Sequence, residues 1–179
     1  MGIVTDLLLH PMPVVVFGVS GSGKSTVGEA LAQRLAYEFC DADDLHSRAN
    51  IEKMHAGHPL TDEDRWPWLD AVGQRMTDVL AQERGVVMAC SALKRSYRDL
   101  LRDHVASTFF VFLDGSEQLI ASRVNARKGS FMPASLLSSQ FEALEPLGAD
   151  EIGVRIDVAQ DLAHIVEEAA TALFPDAGL

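Results

Sequence analysis

Gly18-Val19-Ser20-Gly21-Ser22-Gly23-Lys24-Ser25-Thr26 fits the pattern GxxxxGK[ST] without a mismatch. Its flanks supply the setting that the pattern needs. The apolar run Val14-Val15-Val16-Phe17 before it reads as a buried strand, and Val27, Ala30, Leu31 and Leu35 after it recur at helical spacing. Strand, glycine loop and helix together aim backbone N–H groups and a helix N-terminus at one point, which suits a polyphosphate. The glycines allow close backbone approach and positive φ. On this reading Gly18 to Thr26 hold the phosphates of a nucleoside triphosphate, Lys24 reaches the β/γ-phosphates and the Ser25 hydroxyl ligates Mg²⁺. A glycine-rich turn without a ligand is the bland alternative, and the full match in the right context argues against it.

The chain has 179 residues, a length for one domain, in which residues 1–12 form an N-terminal extension. That extension contains Leu7-Leu8-Leu9 but no basic n-region and no long h-region, so it does not read as a signal peptide. The net charge of −11 argues against a nucleic-acid partner. It also means that an anionic substrate needs a local basic cluster to draw it in. Cys40 and Cys90 each end an apolar segment and are expected to be buried and reduced, in keeping with a cytoplasmic protein. No apolar run approaches membrane-spanning length, so no membrane partner is expected.

Tyr37 to Asp41 reads as a second strand running into Asp41-Ala42-Asp43-Asp44-Leu45-His46. Carboxylates at a strand's carboxyl end sit where open α/β sheets bind ligands; a solvated acidic turn is the other reading. A short helix over Asn50–His55 stops at Gly57 and Pro59. Thr61-Asp62-Glu63-Asp64 looks like a capping box. Pro67, which lacks an N–H, moves the expected helix start to near Asp64, with Arg65, Trp66 and Pro67 as its first residues. Leu69, Val72, Met76, Val79 and Leu80 form the apolar face, and Gly85 is the expected end. The third strand, Val86 to Cys90, is followed by no Asp, so it lacks a Walker B carboxylate. Asp41 then becomes the candidate acidic partner of Mg²⁺, and small-molecule kinases fit better than motor-type ATPases. A helix with Tyr97, Leu100 and Leu101, a strand over Phe109–Leu113 and a helix capped by Ser116 follow. The last of these ends in Arg123, Arg127, Lys128 and Gly129. Basic residues suit a helix C-terminus through the macrodipole. These lead through a turn into a second helix, Ala134 to Leu144, as the hinge of a mobile ATP-covering lid at about 127–145 would. Val154–Val158 is the fifth strand, and Leu162, Ile165, Val166, Ala169 and Leu173 face one side of the last helix. The alternation predicts an α/β fold, a five-stranded parallel sheet with helices on both faces.

One set of residues carries a more specific signal. It comprises Asp41-Ala42-Asp43, Leu45-His46, Asn50, Lys53-Met54, Gly57, Pro59-Leu60, Asp62, Asp64-Arg65 and Pro67-Trp68-Leu69. Cys90 to Lys94, Tyr97 to Arg102, Arg123, Arg127 to Gly129, Ser139 to Glu145 and Gly148 to Glu151 extend it. Over about residues 13–170 the chain resembles the gluconokinase family. The resemblance implies a P-loop kinase fold of the shikimate and nucleoside-monophosphate kinase type, with residues at about 42–84 as a substrate-binding insertion. It implies ATP-dependent phosphorylation of D-gluconate at the C6 hydroxyl, and a homodimer. Ser130, where the family usually has His, and Glu145-Pro146-Leu147, which departs from the acidic-Pro order, are the differences.

With that acceptor, Lys24, Mg²⁺ and the loop amides hold the β/γ-phosphates, and Arg127, with Arg123, swings in with the lid. Asp43 orients the hydroxyl and takes its proton while Asp41 holds a magnesium water, though the two carboxylates could exchange roles. Lys53, Arg65, Lys94 and Arg48 are the cations near the substrate face, with His46 and Ser91 offering hydrogen bonds. For Arg65 a first-turn ion pair with Asp62 or Asp64 is an equal alternative, and Arg48 and Arg95 read as ordinary surface charges. A zinc reading of His46, His55 and His58 is set aside because the kinase context accounts for that segment. Trp68 is expected in the core or pocket wall and Trp66 to be more exposed. The adenine walls fall to the lid arginines and to Val158, Ala159 and Gln160. A shikimate-type or nucleotide kinase and a non-catalytic ATP-binding protein are the rival readings.

Overall fold

In the computed structural model, residues 11–127 and 134–175 are described. The expected turn at 128–133, with Lys128 and Ser130, and residues 1–10 of the expected extension lie outside them. β1 (Pro13–Phe17) is buried along its whole length because it is the middle strand of a five-stranded sheet ordered β2-β3-β1-β4-β5. All four pairings are parallel, with β2 at Glu38–Asp41, β3 at Val86–Ala89, β4 at Phe109–Asp114 and β5 at Gly153–Asp157. Unbroken Val and Phe runs suit strands covered on both faces. Alternate side chains of β1 feed separate cores, as the two-residue period of a strand requires. Val14 and Val16 join α1 (Lys24–Leu35) and α7 (Leu162–Leu173) on one face. Val15 and Phe17 join α3 (Asp62–Leu80) and α4 (Arg95–His104) on the other. The α2 helix (Arg48–His55) precedes α3, while α5 (Glu117–Ala126) and α6 (Ala134–Ala143) lie between β4 and β5. Among the described residues no helix is long and apolar enough to cross a membrane.

Several expectations are corrected. α3 begins at Asp62, not near Asp64. Thr61 Oγ1 accepts from the Asp64 N–H at 3.2 Å and Asp64 Oδ2 accepts from the Thr61 N–H at 2.8 Å, a complete capping box. Pro67 therefore lies inside the helix, where it forfeits only the bond to the carbonyl of Glu63, an exposed residue whose carbonyl water can serve. The same helix ends at Leu80, well before Gly85. Gly85 has a packing role instead, since a Cβ there would fall 2.4 Å from the Tyr37 ring. Val158 is fully buried in the core beside Ile156 and so cannot line an adenine pocket, and Leu162 is exposed, off the apolar face expected of it. Of the two thiols, Cys90 is buried and Cys40 only half-buried. Trp68 is 4% exposed and Trp66 36%, as their two-residue spacing on one helix demands.

Candidate active site

The glycine loop joins the carboxyl end of β1 to α1, and its conformation needs glycine. Gly21 has φ +82°, and a Cβ on it would fall 2.3 Å from Val124 Cγ2 on α5. Gly23, at φ 96°, is the N-cap of α1, with no side-chain cap and no acidic residue in the first turn. The first amides of α1 are thus left for an external anion. Ser22 Oγ is buried with no hydrogen-bond partner among the described residues. An orphaned hydroxyl and an uncapped helix start in one loop suit a polyphosphate.

Lys24 Nζ donates to the Val19 carbonyl at 3.0 Å, across the loop. Burial depresses its pKa, against the lifting charges of Asp43, Cys90 and Asp41. The charge of Arg127, at the end of α5, adds to the depression. Ser25 Oγ donates to Asp41 Oδ2 at 2.8 Å. The other oxygen, Oδ1, accepts from the Asp43 N–H at 3.0 Å and so caps the short 3-10 helix Ala42–Leu45. One carboxylate therefore ties the P-loop helix to the acidic turn. Asp43 has its pKa raised by burial and by Asp41, with Lys24 and His46 pulling the other way.

A second cluster faces this turn. The His46 ring stacks on Trp68 at 4.2 Å between centroids, and Trp68 Nε1 donates to the Ala42 carbonyl at 2.7 Å. Burial lowers the His46 pKa. Asn50, buried, lies 3.4 Å from His46 Nδ1 and donates to the Asp64 carbonyl at 3.0 Å. Lys53 Nζ meets Asp64 Oδ2 at 2.5 Å, and Lys94 Nζ meets both oxygens of Asp62 at 2.9 and 3.0 Å. Tyr97 also donates to Asp62. Asp62 and Asp64 are thereby taken, and the ion pair that is the alternative for Arg65 is not formed. Its guanidinium donates to the Leu60 carbonyl and lies over the Tyr97 ring, 5.9 Å from the centroid. Among the described residues it meets no carboxylate. Ser91 is half-exposed just beyond β3, the neighbour of β2 in register Asp41↔Ala89.

The hydrogen bonds from Lys53 and from the Thr61 N–H bring the Asp64 pKa down to about 2. A depressed carboxylate contributes stability above its unfolded value, and that contribution is lost as pH falls through about 2. Lys53→Met is expected to move the Asp64 midpoint up towards 3.9, read by carboxyl-carbon NMR titration. An unmoved midpoint would show that the Lys53 bond is not its cause.

The remaining expectations divide. Arg48 pairs with Glu52 on the surface, its side chain 93% exposed. Arg95 is not an ordinary surface charge. It holds Asp99 and, bidentately, Asp150, while its backbone N–H donates to Glu145, so it fastens the chain after α6 to the start of α4. Arg123 is half-exposed and Arg127 exposed, with no hydrogen-bond partner for either among the described residues. Ala159 and Gln160 are exposed beyond β5. Two residues of the matched segments carry no role in the sequence reading. Arg98 is fully buried and bound to Glu151. Gln140 on α6 accepts the Ser20 N–H at 2.7 Å.

A family model described as an AAA domain matches residues 14–147. The thermosensitive gluconokinase of Escherichia coli (strain K12) is 44% identical over 160 residues, spanning 89% of this chain and 86% of that protein. The gluconokinase of Gluconobacter oxydans (strain 621H) is 45% identical over 164 residues, 92% of each. The crystal structure of a gluconokinase from Sinorhizobium meliloti 1021 superposes with a TM-score of 0.83 at 53% identity over 92% of each chain. Shikimate kinase from Aquifex aeolicus shares the fold, with a TM-score of 0.58 at 19% identity. By sequence over nearly its whole length and by structure, the chain belongs to the gluconokinase family of P-loop kinases.

Proposed function

We propose that the protein transfers the γ-phosphoryl group of ATP to the C6 hydroxyl of D-gluconate, yielding 6-phospho-D-gluconate and ADP. The observation that carries this reading is the union of Ser25, Asp41 and Asp43 at the glycine loop, with His46 stacked on Trp68 and Trp68 bonded to the Ala42 carbonyl of the same acidic turn.

Phosphoryl transfer asks a protein chiefly for in-line positioning and neutralisation of charge. The loop amides and the start of α1 receive the phosphates, and Lys24 exchanges the Val19 carbonyl for phosphate oxygens. Ser25 and Asp41 offer hard oxygen donors suited to Mg²⁺, which neutralises β- and γ-phosphate oxygens when bound. Among the described residues no group of three or more His, Cys, Asp or Glu side chains is placed to hold a metal ion, so Ser25 and Asp41 are the residues of this chain that would hold it. Asp43 accepts the C6 hydroxyl proton as the new O–P bond forms and the bond to the β-phosphate oxygen breaks. Its raised pKa makes it a better base than an unperturbed carboxylate. Arg127 and Arg123, at the end of α5, neutralise the transferring group. Lys53 and Lys94 are already balanced by Asp64 and Asp62, which leaves Arg65 to meet the substrate carboxylate. His46 and Ser91 bond to its hydroxyls.

A coupled ADP-release assay over a panel of sugar acids and shikimate tests the reading. Turnover is expected with gluconate; turnover with shikimate alone would overturn it. Arg65→Ala is expected to raise KM for gluconate by about 10- to 100-fold, the worth of a charge-assisted hydrogen bond, and to leave KM for ATP unchanged. An equal rise in both would remove Arg65 from the acceptor pocket.

A further inference from the structure

We infer that Gln140 contacts the γ-phosphoryl group of the bound nucleotide, its side-chain carbonyl anchored on the P-loop and its NH₂ group donating to the phosphoryl oxygens. Ser20 N donates to Gln140 Oε1 at 2.7 Å, a contact between residues 120 apart in sequence. A backbone N–H only donates, so the atom it meets must be the carbonyl oxygen, and this fixes which way the side-chain amide faces. Nε2 then carries two donor hydrogens with no acceptor among the described residues. Oxygen and nitrogen share one carbon, so these donors lie beside Ser20, within the loop that receives the triphosphate on this reading. An anionic oxygen is what they can serve.

The backbone that carries Gln140 is itself well seated. Leu137, one turn earlier on α6, is 3% exposed in the core that includes Ile120 and Val124, and Phe141 packs against that core. Val124 is the residue against which Gly21 is pressed. Loop and α6 therefore rest on a common support, and a side chain on such a support can be held to catalytic tolerance. The assignment uses the proposed kinase reading only for its nucleotide and is independent of the acceptor.

Two variants separate contact with phosphate from simple tethering. Gln140→Glu keeps an acceptor for the Ser20 N–H, removes the donor and brings a negative charge to the phosphates. Gln140→Leu removes both groups. Calorimetric binding of ADP and of the β,γ-imido analogue of ATP is measured without acceptor, with kcat on gluconate alongside. Binding of ADP is expected to stay within about threefold in both variants. The imido analogue is expected to weaken by about tenfold in the Leu variant and further in the Glu variant, with kcat falling in the same order. If Gln140 only ties α6 to the loop, the Glu variant binds and turns over like the wild type, while the Leu variant loses both nucleotides equally. That pattern, or no change in either variant, overturns the assignment. A Leu variant that does not fold leaves the Glu variant to decide. Absence of gluconate turnover with analogue binding still discriminating would sink the acceptor and leave Gln140 in place.

Discussion

Asp43→Asn is expected to lower kcat by about 10²- to 10⁴-fold and, at neutral pH, to raise the melting temperature. The substitution keeps shape and keeps the backbone N–H of residue 43, which is the group bound to Asp41 Oδ1. The Ser25–Asp41 contact and the cap of the 3-10 helix should therefore survive, and the loss is one of basicity. The gain in stability follows from the raised pKa, whose largest cause is burial, followed by the charge of Asp41. A carboxyl with a folded-state pKa above its unfolded value binds protons more tightly when folded. Its contribution to stability is fully present below the unfolded value, near 3.9, and falls away as pH rises through the folded value. At pH 7 the ionised carboxylate is a cost that Asn removes, so the melting temperature should rise at pH 7 and show no gain below about pH 3.9. Activity within a few fold of wild type would move the base elsewhere. Asp41→Asn is the comparison, because it strikes the Ser25 contact and the cap together and should not stabilise.

How much of this was legible follows from the range over which each feature is encoded. The three inner strands β1, β3 and β4 were legible because each is a nearly unbroken apolar run bounded by turn residues, whereas the edge strands β2 and β5 carry charged residues and were placed by their alternation with helices, from which the parallel sheet also follows. The glycine loop was legible because its chemistry lies within nine consecutive residues. At α3 two local rules conflicted, and the reciprocal bonds of Thr61 and Asp64 outweighed the single bond that Pro67 gives up. Val158 was misread because a residue one past a strand's end can still point inward, a choice made by packing against the sheet. Cation partners were the least legible. Lys53 finds Asp64 across 11 residues and Lys94 finds Asp62 across 32, so only tertiary contact shows that Arg65 lacks a carboxylate. Gln140 lies in the matched segment Ser139 to Glu145, but nothing local assigns it a partner, since Ser20 is 120 residues away. Arg98 had a local signal that went unused. It lies one turn before Leu101 and beside Tyr97, so it points into the apolar side of α4, where a cation requires a buried partner.

That partner supports the second large prediction. Glu151→Gln is expected to destabilise the protein by about 3–5 kcal/mol, a drop of roughly 6–20 °C in melting temperature for a chain of this size. Arg98 Nε and one terminal nitrogen bind the two Glu151 oxygens at 2.8 and 3.0 Å. The other donors go to the carbonyls of Ala92 at 3.0 Å, Leu93 at 3.2 Å and Pro146 at 3.3 Å. All five guanidinium hydrogens thus have acceptors, and the guanidinium stands 4.5 Å over the Phe17 ring. Burial alone would raise the Glu151 pKa, but the Arg98 bonds and the Gly148 N–H outweigh it and hold the carboxyl below its ordinary value. Removing the negative partner leaves a fully buried cation over the Phe17 ring without a counter-charge, and that is the source of the expected loss. It follows that the double variant Arg98→Met/Glu151→Leu should be more stable than Glu151→Gln alone, with a coupling energy well above the few tenths of a kcal/mol typical of independent sites. Kinetics should rank the same variants differently. Ala92 has φ +36°, unusual for a residue with a side chain, and Arg98 holds its carbonyl and that of Leu93 between Ser91 and Lys94. The double variant therefore regains stability while that loop stays unpinned, and its KM for gluconate should remain raised when its melting temperature has recovered. Recovery of both together would make the pair a structural tie with no hold on the acceptor pocket.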